Sequence, residues 1–190
     1  MFHATDPSLA AKSARDIGVL HTLGPEGTNC EAAAKLWLER KGARGEVRLF
    51  PTLEEALEAL PPRPDAALLG CAVYPDLHRL VFENLHRIEI FDTFVMPTYE
   101  MVLASRDGAM PADVVSHPAP SSLVPEGLRV SFADSNSRAA ALCAEGAFEG
   151  CITTSRSAGD FDLSIVRNFG AVPMIFTLHR PHAVERAKAA

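Results

Sequence analysis

The sequence predicts an α/β protein of two lobes, and three observations carry that expectation. Short apolar runs alternate with amphipathic segments as far as Leu69, the same alternation restarts near Val114, and two extended segments, 87–95 and 99–105, flank Met96-Pro97 between the two blocks. Strand-helix-strand order implies a largely parallel sheet with right-handed crossovers, and two such blocks imply two lobes with a ligand between them. Lobe 1 is expected over 15–97 with 171–182 and lobe 2 over 98–170, with 1–14 and 183–190 as loose ends.

The elements follow from local pattern. Ile17 to Leu23 is an apolar run that stops at Gly24-Pro25, and a helical pattern begins near Thr28 or Asn29. Ala33, Leu36, Trp37 and Arg40 share a helical face, and Gly42 is the stop. Val47 to Phe50 reads as a strand; Leu53, Ala56, Leu57 and Leu60 then recur at helical spacing until Pro61-Pro62. Asp65 to Leu69 is a buried-type strand closed by Gly70, and the pattern from Cys71 to Asn84 is weak, with a turn at Tyr74-Pro75-Asp76. In the second block, Val114-Val115 is a strand tip, Leu128 to Phe132 a strand, and Asp134-Ser135-Asn136-Ser137 caps an alanine-rich helix through Ala147. Gly150 to Thr154 is a strand, Ser155 to Ala158 a helical turn, Leu163 to Phe169 a return segment, and Val172 to Leu178 the last strand.

Composition narrows the partners. The 190 residues are 47% apolar, enough for a real core, and a net charge of −6 without a long basic run argues against nucleic acid. No apolar stretch approaches the roughly 20 residues that span a bilayer, and the first residues lack a signal peptide's apolar centre, so the expectation is a cytoplasmic protein with no membrane partner. The four cysteines, Cys30, Cys71, Cys143 and Cys151, show no metal-type spacing to one another or to the seven histidines, and neither a metal nor an organic cofactor is implied. They read as structural thiols, with Cys30 set apart because a helix N-terminus lowers a thiol pKa. The dinucleotide, P-loop, zinc-peptidase and α/β-hydrolase motifs are all missing from the sequence.

Candidate chemistry gathers at strand ends. Gly24, Pro25, Glu26, Gly27, Thr28 and Asn29 form a strand-turn-helix corner whose helix-terminal N–H groups suit an anion, although an isolated corner of this kind equally fits an ordinary connection. Ser116, His117, Ser135, Asn136, Ser137 and Thr154 also fall at predicted strand C-terminal ends, where open α/β sheets hold ligands; each equally fits a helix cap. Arg106, Arg138 and Arg156 lie beside these segments, where each fits a carboxylate partner or equally a solvated surface residue, and His117, a residue type able to titrate near neutrality, equally fits a structural role. Glu26 and Glu31 are the acids at the corner. Together these residues predict a small dianionic acid as ligand.

Assembled, Leu23-Gly24-Pro25-Glu26-Gly27-Thr28, Val115-Ser116-His117-Pro118, Ser135-Asn136-Ser137 and the final strand resemble the prephenate dehydratase catalytic domain over about residues 17 to 180. The resemblance implies a two-lobed fold like type II periplasmic binding proteins, prephenate or a related cyclic dicarboxylic acid in the cleft, and a homodimer. The regulatory ACT domain usual in that family is not expected here. Several positions depart from the dehydratase pattern. Its Thr-Arg-Phe, whose threonine helps expel the ring hydroxyl, is Pro173-Met174-Ile175; its Pro-Ile-Glu-Asn is Gly70-Cys71-Ala72-Val73. A family glutamine corresponds to Leu123 and a family histidine to Glu31.

With those departures the chain resembles the non-aromatising prephenate decarboxylases of bacilysin-type natural-product pathways, which lose CO2 from the quaternary ring carbon, keep the hydroxyl and protonate the ring diene to a dihydro-4-hydroxyphenylpyruvate. The resemblance implies Glu31 or His117 for proton delivery, and Gly24 to Asn29, Ser116, Ser135 to Ser137, Thr154, Arg106, Arg138 and Met174 for substrate binding. A divergent dehydratase giving phenylpyruvate and a non-catalytic binding module for a cyclic carboxylate are the alternatives.

Overall fold

The computed structural model describes residues 14–182. In chain order the elements are β1 (Val19–Leu23), α1 (Asn29–Lys41), β2 (Glu46–Phe50), α2 (Leu53–Glu58), β3 (Ala66–Cys71), α3 (Leu77–Glu83), β4 (Ile88–Pro97) and β5 (Met101–Ser105). They continue with β6 (Asp113–Ser116), a 3-10 turn at Ser121–Leu123, β7 (Arg129–Phe132), α4 (Asn136–Ala144), β8 (Gly150–Thr154), α5 (Ser155–Asp160), β9 (Ser164–Gly170) and β10 (Pro173–Pro181). Polar side chains set three helix starts: Thr52 accepts the Glu55 N–H, Ser135 that of Arg138, and Thr154 that of Ser157.

The chain forms two compact units. One comprises residues 14–26, Cys30–Met96 and 175–182; the other comprises Gly27–Asn29 and Pro97–Met174. The first holds a sheet of order β2-β1-β3-β10-β4 and the second a sheet of order β7-β6-β8-β5-β9. Both orders follow one rule: three parallel strands with the first flanked by the second and third, then a strand antiparallel to the third. The expectation of largely parallel sheets is therefore corrected to mixed ones. Three antiparallel strands come from segments next to the passages between units: β5 follows Pro97, and β9 and β10 flank Val172.

Burial agrees with strand position. Every residue of β3, β5 and β8 is buried, as central strands covered on both faces require, whereas β7 is exposed along its whole length at a sheet edge. Leu53, Ala56 and Leu57 of α2 pack with Val19, Ala66 and Leu68 in the first unit; Ala139, Ala140 and Cys143 of α4 pack with Val115 and Cys151 in the second. Helix α3 lies in the stretch whose pattern was too weak to read, because only Leu80 of its seven residues is buried.

One row across the first sheet carries two buried imidazoles. His21 on β1 and His179 on β10 both pair in register with Leu68 on β3, so they share a face roughly 10 Å apart. The His21 Nδ1–H donates to Ala56 O at 2.9 Å, leaving Nε2 buried with no hydrogen-bond partner among the described residues. Thr177 Oγ1 donates to Gly70 O at 3.4 Å and lies 2.9 Å from His179 Nε2, while His179 Nδ1 has no partner among the described residues. Burial lowers both imidazoles. For His21 the Ala56 hydrogen bond and Glu46 oppose that effect and Arg48 adds to it; His179 falls to about 4.

A histidine whose folded pKa is depressed binds its proton more readily in the unfolded chain. Its contribution to stability is complete above the unfolded value of 6.5 and is lost as pH falls toward 4. Denaturant unfolding as a function of pH should show stability declining across that window, by roughly 3 kcal/mol from His179 alone. The His179→Gln variant should show a correspondingly shallower slope.

Candidate functional site

In the second unit, β6 pairs in parallel with both neighbours, Ser116 standing opposite Phe132 of β7 and Ile152 of β8. The C-terminal ends of three adjacent strands therefore lie together. That brings Ser116-His117, the Ser135-Asn136-Ser137 start of α4 and Thr154 to one sheet end.

Much of the hydroxyl chemistry there is already used. Ser116 is fully buried and its Oγ donates to His117 O at 2.8 Å. Ser135 Oγ caps α4, and Thr154 Oγ1 caps α5 while lying 3.0 Å from Ser157 Oγ. Thr153 Oγ1 donates to Asn136 O at 2.7 Å, tying the start of α4 to β8. Asn136 Oδ1 is buried with no partner among the described residues. Among the described residues two groups stay open to a ligand at this sheet end: the Asn136 and Ser137 N–H groups of α4, whose first turn holds no acid and whose Arg138 N–H is taken by Ser135, and the half-buried His117. The Ala119 N–H donates to His117 Nδ1 at 3.2 Å. Burial lowers the His117 pKa, against a smaller upward pull from Asp134.

The arginines depart from expectation. Since β5 runs antiparallel to β8, Met101 stands opposite Thr154 and Ser105 opposite Gly150, so Arg106 follows β5 at the far end of the sheet. Its Nη1 donates to Cys143 O at 2.6 Å and Phe148 O at 3.0 Å, closing the C-terminal end of α4. Arg138 extends along its own helix to Glu145 at 3.0 Å, and Arg156 Nε meets both oxygens of Asp160 at 2.9 Å. Sequence reasoning missed Glu100 at the Thr154 end: its carbonyl accepts the Ser155 N–H and its carboxylate the Asn168 amide. The antiparallel course of β5 puts it there, and no spacing in the sequence signals that course.

Gly24 N–H donates to Phe50 O at 2.8 Å, and a Cβ on Gly24 would lie 3.1 Å from Leu49 Cβ, so this glycine permits packing on β2. Gly27 has φ of 80°, the left-handed region that favours glycine. Asn29 Oδ1 accepts the Tyr99 N–H at 2.9 Å. Pro25 and Glu26 are exposed, Thr28 is half-buried, and Met174, also half-buried, belongs to the opening of β10. Glu31 stands 2.5 Å from Lys35 Nζ on a helix face that borders β2. With Glu26, Leu38 and Glu39 they line an open groove of about 880 Å³ within the first unit. Delivering a proton would require Glu31 as a neutral acid, yet its neighbour is an ammonium, the partner of a carboxylate.

The cysteines, scattered in sequence, meet in pairs. Cys30 neighbours Cys71 in the first unit and Cys143 neighbours Cys151 in the second, with Cys143 Sγ donating to Glu149 O at 3.6 Å; all four are buried free thiols. The hydrogen bond to Cys71 and burial push the Cys30 thiol up, opposite to the helix-terminus expectation. Among the described residues no three His, Cys, Asp or Glu side chains converge as a metal set, and no helix is long and apolar enough to cross a membrane.

Comparison with known proteins follows the same lines. No family model matches the chain. It is 28% identical over 176 residues to prephenate decarboxylase of Bacillus subtilis, covering 84% of each chain. Its fold matches the prephenate dehydratase of Staphylococcus aureus with a TM-score of 0.61 at 15% identity, over 85% of this chain and 65% of that one. A periplasmic substrate-binding protein of an ABC transporter from Coxiella burnetii matches with a TM-score of 0.54 at 17% identity, over 86% of this chain and 84% of that one. The fold is thus the α/β fold of the prephenate dehydratase and of periplasmic binding proteins.

Arg106 offers a direct check on the placement above. Arg106→Ala removes the side-chain donor shared by Cys143 O, which keeps the Gly146 N–H, and Phe148 O beyond the helix, and should cost roughly 1–3 kcal/mol of stability. Thermal unfolding measures that loss, and the apparent KM for a carboxylate substrate should stay unchanged in the folded fraction.

Proposed function

We infer that a chain resembling prephenate decarboxylase in sequence, on the fold of a prephenate dehydratase, is a non-aromatising prephenate decarboxylase supplying a dihydro-4-hydroxyphenylpyruvate to a natural-product pathway. The similarity to the Bacillus subtilis enzyme, even across 84% of each chain, carries this reading.

The chemistry of the substrate fits what the residues offer. Prephenate bears a carboxylate and a pyruvyl arm on one quaternary ring carbon and a hydroxyl across the ring. When the carbon-carboxylate bond breaks, its electron pair forms a new ring double bond, and the pair of the neighbouring double bond takes up one proton. One CO2 leaves, one proton enters from solvent and the hydroxyl stays. Expelling that hydroxyl instead needs an acid beside it. At the triplet Pro173-Met174-Ile175 none of the side chains carries an O–H or N–H, which disfavours aromatisation.

Recognition of the carboxylates rests in this reading on neutral donors. The first-turn amides of α4 and the His117 ring stand at one sheet end, whereas Arg138 and Arg156 are paired with acids of their own helices. Neutral donors suit a reaction that removes a carboxylate's charge, because a full positive charge would stabilise the reactant more than the transition state.

Purified protein incubated with prephenate at neutral pH, without an acid quench, should yield a product that has lost CO2 and kept its hydroxyl by mass spectrometry. In D2O that product should carry one non-exchangeable ring deuterium. Phenylpyruvate above an enzyme-free control would establish a dehydratase instead, and tight binding of unchanged prephenate would establish a binding module.

A further inference from the structure

His117 sits in a stiff tetrapeptide, His117-Pro118-Ala119-Pro120, in which both prolines lack an N–H. The Ala119 amide is therefore the one backbone donor between them, and it points at His117 Nδ1 at 3.2 Å. The same loop is fastened on either side, by Ser116 Oγ to His117 O at 2.8 Å and by Ser121 Oγ to Pro118 O at 2.7 Å. A ring nitrogen that accepts an N–H cannot also carry a proton, so the single proton of the neutral ring resides on Nε2. Nε2 has no partner among the described residues, and the ring is half-buried at the sheet end where α4 begins.

We propose that His117 is a substrate-binding group that acts as a neutral Nε2–H donor to a carboxylate oxygen, its tautomer locked by the Ala119 amide, and is not the acid that protonates the ring. This rests on the decarboxylase reading for the identity of the ligand, while the tautomer rests on the loop alone. Protonating Nδ1 would set two hydrogens against each other and cost the Ala119 hydrogen bond. Burial acts in the same direction, lowering the imidazole against the smaller upward pull of Asp134, the charged group that acts on it among the described residues. The role moves His117 from proton delivery, where the resemblance puts it, to holding the carboxylate.

Nitrogen-15 NMR of histidine-labelled protein, followed from mildly acidic to mildly alkaline pH, tests the tautomer without substrate. A His117 ring protonated only at Nε2 across neutrality supports the proposal; an Nδ1–H ring, or an imidazolium at neutral pH, overturns it. Saturating prephenate should shift the Nε2 signal, and an unmoved signal overturns the donor role. In turnover, His117→Phe should lose roughly 10–100-fold in kcat/KM, and His117→Gln, which restores an N–H near the Nε2 position, should recover most of it. Wild-type kcat/KM should have no alkaline limb in the histidine range; such a limb, or a Gln variant as impaired as the Phe variant, would assign the acid role to His117. Failure to bind or turn over prephenate at all would sink the decarboxylase reading and the carboxylate contact with it, and the NMR result on the tautomer would still stand.

Discussion

The in-register parallel pairing of β6 with β7 on one side and β8 on the other is the constraint from which the candidate site follows. Parallel strands end at the same level, so whatever follows each of them meets at one edge. Here those continuations are a histidine loop and two capped helix starts. A slip of one residue in this pairing would exchange the faces of Val114 and Val115, which are buried in different clusters, and move Ser116 off the edge. Core packing therefore sets the level at which the chemistry stands, and the hydroxyls of Ser116, Ser121, Ser135, Thr153 and Thr154 fasten the loop and helix starts that follow.

Direction, more than element type, separates what was legible in the sequence from what was not. Gly150 to Thr154 could be read to the residue, and Ser135 could be recognised as a cap, because burial and capping leave local patterns. Arg106 was misplaced although its strand was found. Alternation of strands and helices says nothing about a strand that enters a sheet from the far end, and reversing β5 sends Arg106 to the foot of α4 and brings Glu100 to the Thr154 end. Glu31 was legible as an acid in a first turn, but its pairing with Lys35 four residues on competes with any role at the corner.

Pairing of like groups across sequence is the other property that spacing hides. The cysteines show no motif because each pair joins a helix residue to a strand residue: Cys30 on α1 with Cys71 on β3, and Cys143 on α4 with Cys151 on β8. His21 and His179 are related in the same way, through the strand between them. Each set is buried, and each gives the interior polar atoms that only tertiary structure can bring together.

The place of β10 bears on how the protein is made. Although it is the last strand in the chain, it occupies an interior position of the first sheet, between β3 and β4. The second sheet has all five of its strands by Gly170, so it can be completed on the ribosome before β10 is translated. Gly70 waits 107 residues for its partner Thr177, on the order of 5–20 s at ordinary elongation rates. Throughout that interval the apolar strand Ala66–Cys71 shows an unpaired edge, the kind of surface that seeds misassembly, so the nascent chain is most vulnerable while its second unit is being synthesised.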